Sequence, residues 1–218
     1  MKRIPFFLLT LLILSVKINA ANLVDMAKDT QWQMQSADGR IQLIWLMPTA
    51  YWDESFKSGG AANRERQRMI NVLDKFIVIA VIDASVGVAG IPTGLDELAV
   101  SELLSLRTAE GSALEPIAID KQEQELRALL NILKPAMSNM MGALGSQMQF
   151  LVYPGFDQKG KRVFDFDSDG LITLEYDKQV LTARTPLAST LAKKLDKDTT
   201  ETFPGNFKFN PYTGKSLQ

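Results

Sequence analysis

The stretch QEQELRALLNILKPAMSNMMGALGSQM, residues 122–148, is the one long helical pattern in the chain and lies between two strand-rich halves. Its apolar residues recur at intervals of three and four, which keeps one face of a helix apolar throughout. They are Leu126, Leu129, Leu130, Leu133, Met137, Met140, Met141 and Leu144. We therefore expect this face to be buried.

Particular residues mark the start and the middle of this helical pattern. Asp120 is placed to cap the helix, with Glu123 three residues later as the partner in a capping box. Pro135 removes one backbone hydrogen bond and disfavours helical geometry at Lys134. The sequence thus predicts a kinked helix, or two abutting helices, over about 121–147, closing one open end or face of a sandwich.

Short apolar or alternating segments on both sides of this helix predict β-strands. IQLIWLM at 41–47 and FIVIAVI at 76–82 are typical of buried strands, and residues 83–87 are expected to turn the chain. Further strands are predicted at 103–107, 114–119, 149–154, 161–166, 171–176 and 178–184, with a hairpin turn at 176–179. This spacing predicts a mainly β fold with helical insertions (α+β), an immunoglobulin-like β-sandwich.

The first twenty residues have the pattern of a secretory signal peptide. Lys2 and Arg3 precede an apolar run at 4–16, and Ile18 and Ala20 occupy the positions that a signal peptidase reads. We predict cleavage after Ala20, no membrane span in the mature chain, and a periplasmic or secreted protein. The predicted division is 1–20 signal peptide, 21–190 sandwich domain, and 191–218 linker and tail.

Composition excludes several classes of function. Removal of the signal peptide leaves 21 basic and 25 acidic residues, a balance of −4, which disfavours nucleic acid as a partner. The chain has no Cys and no His. It therefore has no disulfide, no His-assisted nucleophile and no zinc site built on thiolate or imidazole. Carboxylate pairs and oxygen-ligand metal sites remain available.

The three Trp residues, Trp32, Trp45 and Trp52, lie in one region of the sequence, and Tyr51 directly precedes Trp52. Trp45, Tyr51 and Trp52 are candidate binding residues, because clustered aromatic rings can stack against a sugar or a peptide. The alternative is that these rings fill the edge of the sandwich core.

A second candidate site is DFDSDG at 165–170. Asp165, Asp167 and Asp169 alternate before Gly170, as in the first half of a calcium-binding loop. The bidentate Glu expected at the twelfth position is replaced by Tyr176. The alternative is a tight Asp-Gly hairpin turn between strands, with no cofactor.

The tail of the chain resembles part of a known small domain. The string FKFNPYTGKSL at 207–217 is similar to the second knuckle of small zinc ribbons, which carry a Phe-Cys-Pro-x-Cys-Gly-x-x-Leu pattern. Asn210 and Thr213 stand where the two Cys would be, and Asp196 and Thr199 fall roughly at the first knuckle. The resemblance implies a metal-free remnant of a zinc ribbon.

Most of the mature chain also resembles a group of uncharacterised exported bacterial proteins, through RIQLIWLMP, KPAMSNMMGALGSQMQF, a late strand ending in TPL and the ribbon-like tail. The resemblance implies an immunoglobulin-like sandwich and assigns no activity. We predict an exported, non-enzymatic protein that binds a protein or an envelope component. The alternatives are a calcium-dependent binding module and a carboxylate-based enzyme acting on glycans.

Overall fold

A computed structural model describes residues 23–107 and 111–218, so the predicted signal peptide lies outside the described residues. The α-helices are α1 (Leu23–Thr30), α2 (Thr49–Ser58), α3 (Asn63–Leu73), α4 (Glu97–Leu103) and α5 (Gln124–Met140). Short 3-10 helices span Ile119–Lys121, Gly142–Gln147 and Ala188–Thr190. The strands are β1 (Gln31–Gln35), β2 (Ile41–Met47), β3 (Phe76–Val86), β4 (Pro92–Gly94), β5 (Leu104–Arg107), β6 (Ala113–Leu114), β7 (Gln149–Pro154), β8 (Gly170–Tyr176), β9 (Gln179–Thr185), β10 (Lys194–Leu195) and β11 (Thr202–Phe203).

The strands form two main antiparallel sheets and one small hairpin. The first sheet has the order β1-β2-β3-β7, and β4 pairs with the far end of β3. The second sheet has the order β6-β5-β8-β9. Strands β10 and β11 pair with each other within the tail, which we define as residues 191–218.

The first sheet is buried on both of its faces. Side chains on one face, among them Val78, Ala80 and Ile82 of β3, pack against the helices. Those on the other face, among them Ile79 and Val81, pack against the second sheet. Successive residues of a strand point to opposite faces, so a strand between two layers is expected to be apolar on both faces. This is why FIVIAVI is a continuous apolar run and why IQLIWLM is apolar at every position except Gln42.

The helices form a layer of their own. Residues of α2, α3 and α5 contribute to the core on the helix side, and Met26 of α1 is buried there as well. Helix and strand account for 34% and 31% of the described residues, so the α+β class with antiparallel sheets is confirmed, although the fold is not mainly β as the sequence predicted. The immunoglobulin-like sandwich stays a prediction, as does the division into domains.

The long helical stretch forms two abutting helices, but they do not meet at the proline. Helix α5 continues through Pro135 and ends at Met140. Gly142 then takes a left-handed φ of 62°, and a 3-10 helix follows. A Cβ at Gly145 would lie 2.0 Å from the carbonyl oxygen of Ser138, so only glycine fits where this helix folds back.

The start of α5 and its apolar face also differ from expectation. Asp120 lies in the 3-10 turn before α5, and the helix begins without a side-chain cap from Glu123. Four residues of the predicted face are buried, namely Leu126, Leu129, Leu130 and Met137. Met140, in contrast, is 70% exposed and is the last residue of α5.

The predicted strand at 161–166 does not form. Only Arg162 makes an isolated bridge, to Phe156, while Val163 and Phe164 turn into the core between the sheets. Of the predicted strand at 114–119, only Leu114 lies in a strand, as the second residue of β6. The predicted hairpin at 176–179 is confirmed, with both Asp177 and Lys178 at positive φ, as a two-residue type I′ turn requires.

Substitutions on the two sides of α5 test this packing. Leu130→Ala should lower the free energy of unfolding by about 2–5 kcal/mol, because Leu130 is only 8% exposed. Met140→Ala, the matched control on the same helix, should change it by less than about 0.5 kcal/mol. Urea denaturation measures both values, and equal costs for the two variants would show that the face is assigned wrongly.

Candidate functional site

An open groove of about 590 Å³ lies on the outer face of the second sheet. We call it the outer groove. Its floor is made by outward-facing residues of β5, β8 and β9, since alternate residues of these strands point away from the core. Leu171 and Val180 contribute apolar surface and are 59% and 66% exposed. Arg107 and Glu175 place charges of both signs beside them.

The loop from β7 to β8 forms one wall of the outer groove. The Asp157 carboxylate accepts hydrogen bonds from the N–H groups of Lys159 and Lys161, both at 2.8 Å, which fixes a tight turn. Arg162 pairs with Asp74 at 2.5 Å and lies 4.9 Å from the centre of the Phe156 ring. These contacts hold the wall against the body of the protein.

The three predicted calcium residues lie in this wall, all of them exposed. The Asp165 carboxylate accepts hydrogen bonds from its own loop, from the N–H of Asp167 at 3.0 Å and from the Oγ of Ser168 at 2.6 Å. The bond from Ser168 is the main reason why the pKa of the Asp165 carboxyl lies below its ordinary value. Asp165 and Asp169 line the groove, whereas Asp167 does not.

The calcium prediction stays a prediction. Within residues 23–107 and 111–218, no three acidic, His or Cys side chains are grouped so that they could hold a metal ion. The carboxylate of Asp165 already serves as the acceptor that shapes the loop.

Calorimetric titration with calcium tests this loop. We expect no saturable heat at millimolar Ca²⁺, because calcium needs six to eight converging oxygens and Asp165 is bound to its own backbone. Asp169→Asn should give the same trace as the wild-type protein. A one-to-one binding isotherm that this substitution abolishes would establish a calcium site.

The predicted aromatic residues come together inside the core. The rings of Trp45 and Tyr51 meet edge to face at 4.8 Å, those of Tyr51 and Trp52 at 5.8 Å, and Trp52 stacks on Phe56 at 6.2 Å. None of the three predicted residues is more than 4% exposed. They pack between the helices and the first sheet, so no ring face is open to a ligand in this structure.

A buried polar cluster joins the two sheets, and sequence reasoning missed it. Strand β3 does not turn at Asp83 but runs on to Val86, which places the Asp83 carboxylate between the sheets. This carboxylate accepts hydrogen bonds from Gln42 Nε2 at 3.1 Å and from the Tyr176 hydroxyl at 2.8 Å. We call this group, with Arg40 and Asp177, the Asp83 cluster.

Two further contacts complete the Asp83 cluster. Arg40 Nη1 lies 3.3 Å from the carboxylate of Asp83, whose side chain is fully buried. Gln42 Nε2 also donates to Asp177, in the turn between β8 and β9, at 3.3 Å. Burial, together with the bond to Asp83, raises the pKa of the Tyr176 hydroxyl, so Tyr176 stays protonated and donates. Gln42 and Asp83 are direct partners in the β2–β3 register, which is the signal that could have revealed the pair.

Substitution of Asp83 tests whether the cluster ties the sheets together. Asp83→Ala should cost about 1.5–3 kcal/mol of unfolding free energy, because it leaves the buried Tyr176 hydroxyl without its acceptor, while Gln42 keeps Asp177 and Arg40 keeps Asp38. Tyr176→Phe removes one bond to a charged acceptor and should cost about 1.5–3 kcal/mol. If urea denaturation gave less than about 1 kcal/mol for Asp83→Ala, the cluster would not be a structural tie.

Strand β9 is an open edge beside the outer groove. The two-residue turn makes Tyr176 and Gln179 a hydrogen-bonded pair, so Gln179, Leu181 and Ala183 bond to β8. The N–H and C=O groups of Val180, Thr182 and Arg184 therefore point away from the sheet, and no described residue bonds to them. Helix α1 approaches the far end of the strand, where Asp29 accepts a bond from the Ser189 N–H at 2.8 Å.

Comparison with protein-family models, with curated proteins and with solved structures finds no match to this chain. None of the helices in the described residues is long and apolar enough to span a membrane.

Proposed function

We propose that this chain is an exported, non-enzymatic binding protein that takes up an extended segment of another protein. The segment adds to β9 as a fifth strand of the second sheet. The observation that carries this proposal is the row of unpaired backbone groups at Val180, Thr182 and Arg184, next to an open groove. An exposed edge of this kind is a template for pairing with another chain.

The outer groove can select among extended segments, which an open edge alone cannot do. Main-chain bonds to β9 give affinity for any extended segment, while alternate side chains of that segment contact the sheet face. Leu171 and Val180 offer apolar contacts there, and Arg107 and Glu175 offer charged ones. Such a surface favours a segment of mixed polarity.

The composition supports binding over catalysis. The chain has neither His nor Cys, which removes the commonest nucleophile systems. Its predicted mature charge of −4 disfavours nucleic acid as a partner. Export to the periplasm or the medium, no membrane span after cleavage, and the immunoglobulin-like assignment belong to this proposal. They rest on the sequence patterns at residues 1–20 and in the strands.

A carboxylate-based glycan enzyme is the second candidate, because Asp157, Asp165, Asp169 and Glu175 all line the outer groove. A general acid on a glycan needs a raised pKa, whereas the pKa of Asp165 is lowered. This lowering disfavours Asp165 as that general acid. Turnover of a glycan that Glu175→Gln abolishes would favour the enzyme instead.

A proline in β9 tests the proposed edge. Thr182→Pro removes an outward N–H but no bond to β8, so the fold should survive, as proline is tolerated on edge strands. The partner captured by the wild-type protein from a periplasmic extract should be lost. A peptide covering its contact segment should bind the variant at least about tenfold more weakly by calorimetry.

Thr182→Val is the matched control, since it changes the side chain and keeps the N–H. It should bind the peptide as the wild type does, and circular dichroism should show all three proteins folded. Equal binding by Thr182→Pro would mean that the edge is not the site. Capture of a glycan or lipid in place of a protein would favour the envelope component as the partner.

A further inference from the structure

The tail contains two turns with the same bonding pattern, and the first spans residues 196–201. The Asp196 carboxylate accepts hydrogen bonds from the N–H groups of Asp198 at 2.9 Å and Thr199 at 3.4 Å. The Asp196 N–H donates to the Glu201 carbonyl at 2.9 Å, and the Thr200 N–H donates to the Asp196 carbonyl at 2.8 Å. Thr200 adopts a left-handed φ of 61°.

The second turn spans residues 210–215 and repeats each of these features. The Asn210 side-chain oxygen accepts from the N–H groups of Tyr212 at 2.8 Å and Thr213 at 3.3 Å. The Asn210 N–H donates to the Lys215 carbonyl at 2.7 Å, and the Gly214 N–H donates to the Asn210 carbonyl at 2.8 Å. Gly214 adopts a left-handed φ of 71°.

The first residues of the two turns meet in the interior of the tail. Asn210 Nδ2 donates to Asp196 Oδ2 at 2.5 Å, and both residues are buried. The bond uses the chemical difference between the two side chains, because a carboxylate only accepts whereas an amide also donates. At the surface, Lys215 Nζ pairs with Asp198 at 2.6 Å and links the same two turns.

Positions 196, 199, 210 and 213 have the spacing of ligands in a structural zinc site, two pairs with two residues inside each pair. The residues present do not fit zinc. Thr199 and Thr213 carry hydroxyls, Asn210 carries an amide, and the Asp196 carboxylate is bonded within the tail. A metal in such a site would hold two turns together that have little core of their own.

We propose that the buried Asp196–Asn210 hydrogen bond takes the place of the metal cross-link, so that the tail is a metal-independent counterpart of a zinc ribbon. The tail has few apolar residues to hold it otherwise, with Phe203 and Leu217 as its buried ones. The bond therefore couples the two turns, and its loss exposes both of them.

The proposal predicts opposite responses to pH for two forms of the pair. The hydrogen bond from Asn210 is the main reason why the pKa of Asp196 lies below its ordinary 3.8. A lowered pKa means that the stabilisation is present above pH 3.8 and is lost as the pH falls below it. In Asn210→Asp, two carboxylates face each other and repel at pH 7, and one proton shared between them at low pH removes the repulsion.

Amide hydrogen exchange in the full chain measures the stability of the two turns directly, at the N–H groups of Thr199 and Tyr212. Asn210→Asp should exchange at least about tenfold faster than the wild type at pH 7, after correction for intrinsic rates. Its protection should rise on acidification, whereas that of the wild type should fall. Asp196→Asn, which keeps an amide pair without charge, should show a smaller loss at pH 7. Wild-type protection in Asn210→Asp at pH 7 would overturn the proposal.

A second variant tests the shared geometry. The quadruple substitution D196C, T199C, N210C and T213C should bind one Zn²⁺ per chain, and a chelator should then raise amide exchange in its tail. The wild-type tail should be indifferent to the chelator. The double variant D196C and N210C is the matched control and should bind zinc at least about tenfold more weakly. A quadruple variant that takes up no zinc, when refolded with it, would show that the turns lack this geometry.

Discussion

The burial of β3 on both faces is the constraint on which the rest of the structure depends. Residues 77–84 of this strand are all buried, with helices on one side and the second sheet on the other. Each layer covers apolar surface that the other cannot reach, because alternate residues point in opposite directions. The helix layer and the second sheet are therefore required by the same strand.

This burial also explains why Asp83, the buried charged residue of β3, has several polar partners. A carboxylate between two sheets is costly unless hydrogen bonds and a counter-charge compensate it. Asp83 obtains them from Gln42 in the first sheet, from Arg40 directly before β2, and from Tyr176 in the second sheet. Because Tyr176 ends β8, the bond that satisfies Asp83 also fixes the hairpin that presents β9.

The elements that the sequence predicted correctly are those that a local pattern of residues encodes. The apolar runs at 41–47, 76–82 and 149–154 and the turn at 176–179 were placed well, since apolar runs and turn residues act locally. The prediction of a strand at 161–166 was wrong, because Val163 and Phe164 are buried between the two sheets without being part of a paired strand. Asp83 resembled a turn residue, and only its non-local partners make a buried carboxylate stable.

The candidate site was harder to predict than the fold for a related reason. The position of an open edge and of the groove beside it depends on which strand is the last in its sheet. That strand order is set by long-range pairing. In a chain without Cys or His, the interior links available are polar side chains. Two such links, at Asp83 and at Asp196, each use a buried side chain that accepts a hydrogen bond from a neutral donor, the Tyr176 hydroxyl in one case and the Asn210 amide in the other. Each link joins parts of the chain that strand pairing alone leaves separate, namely the two sheets at Asp83 and the two turns of the tail at Asp196.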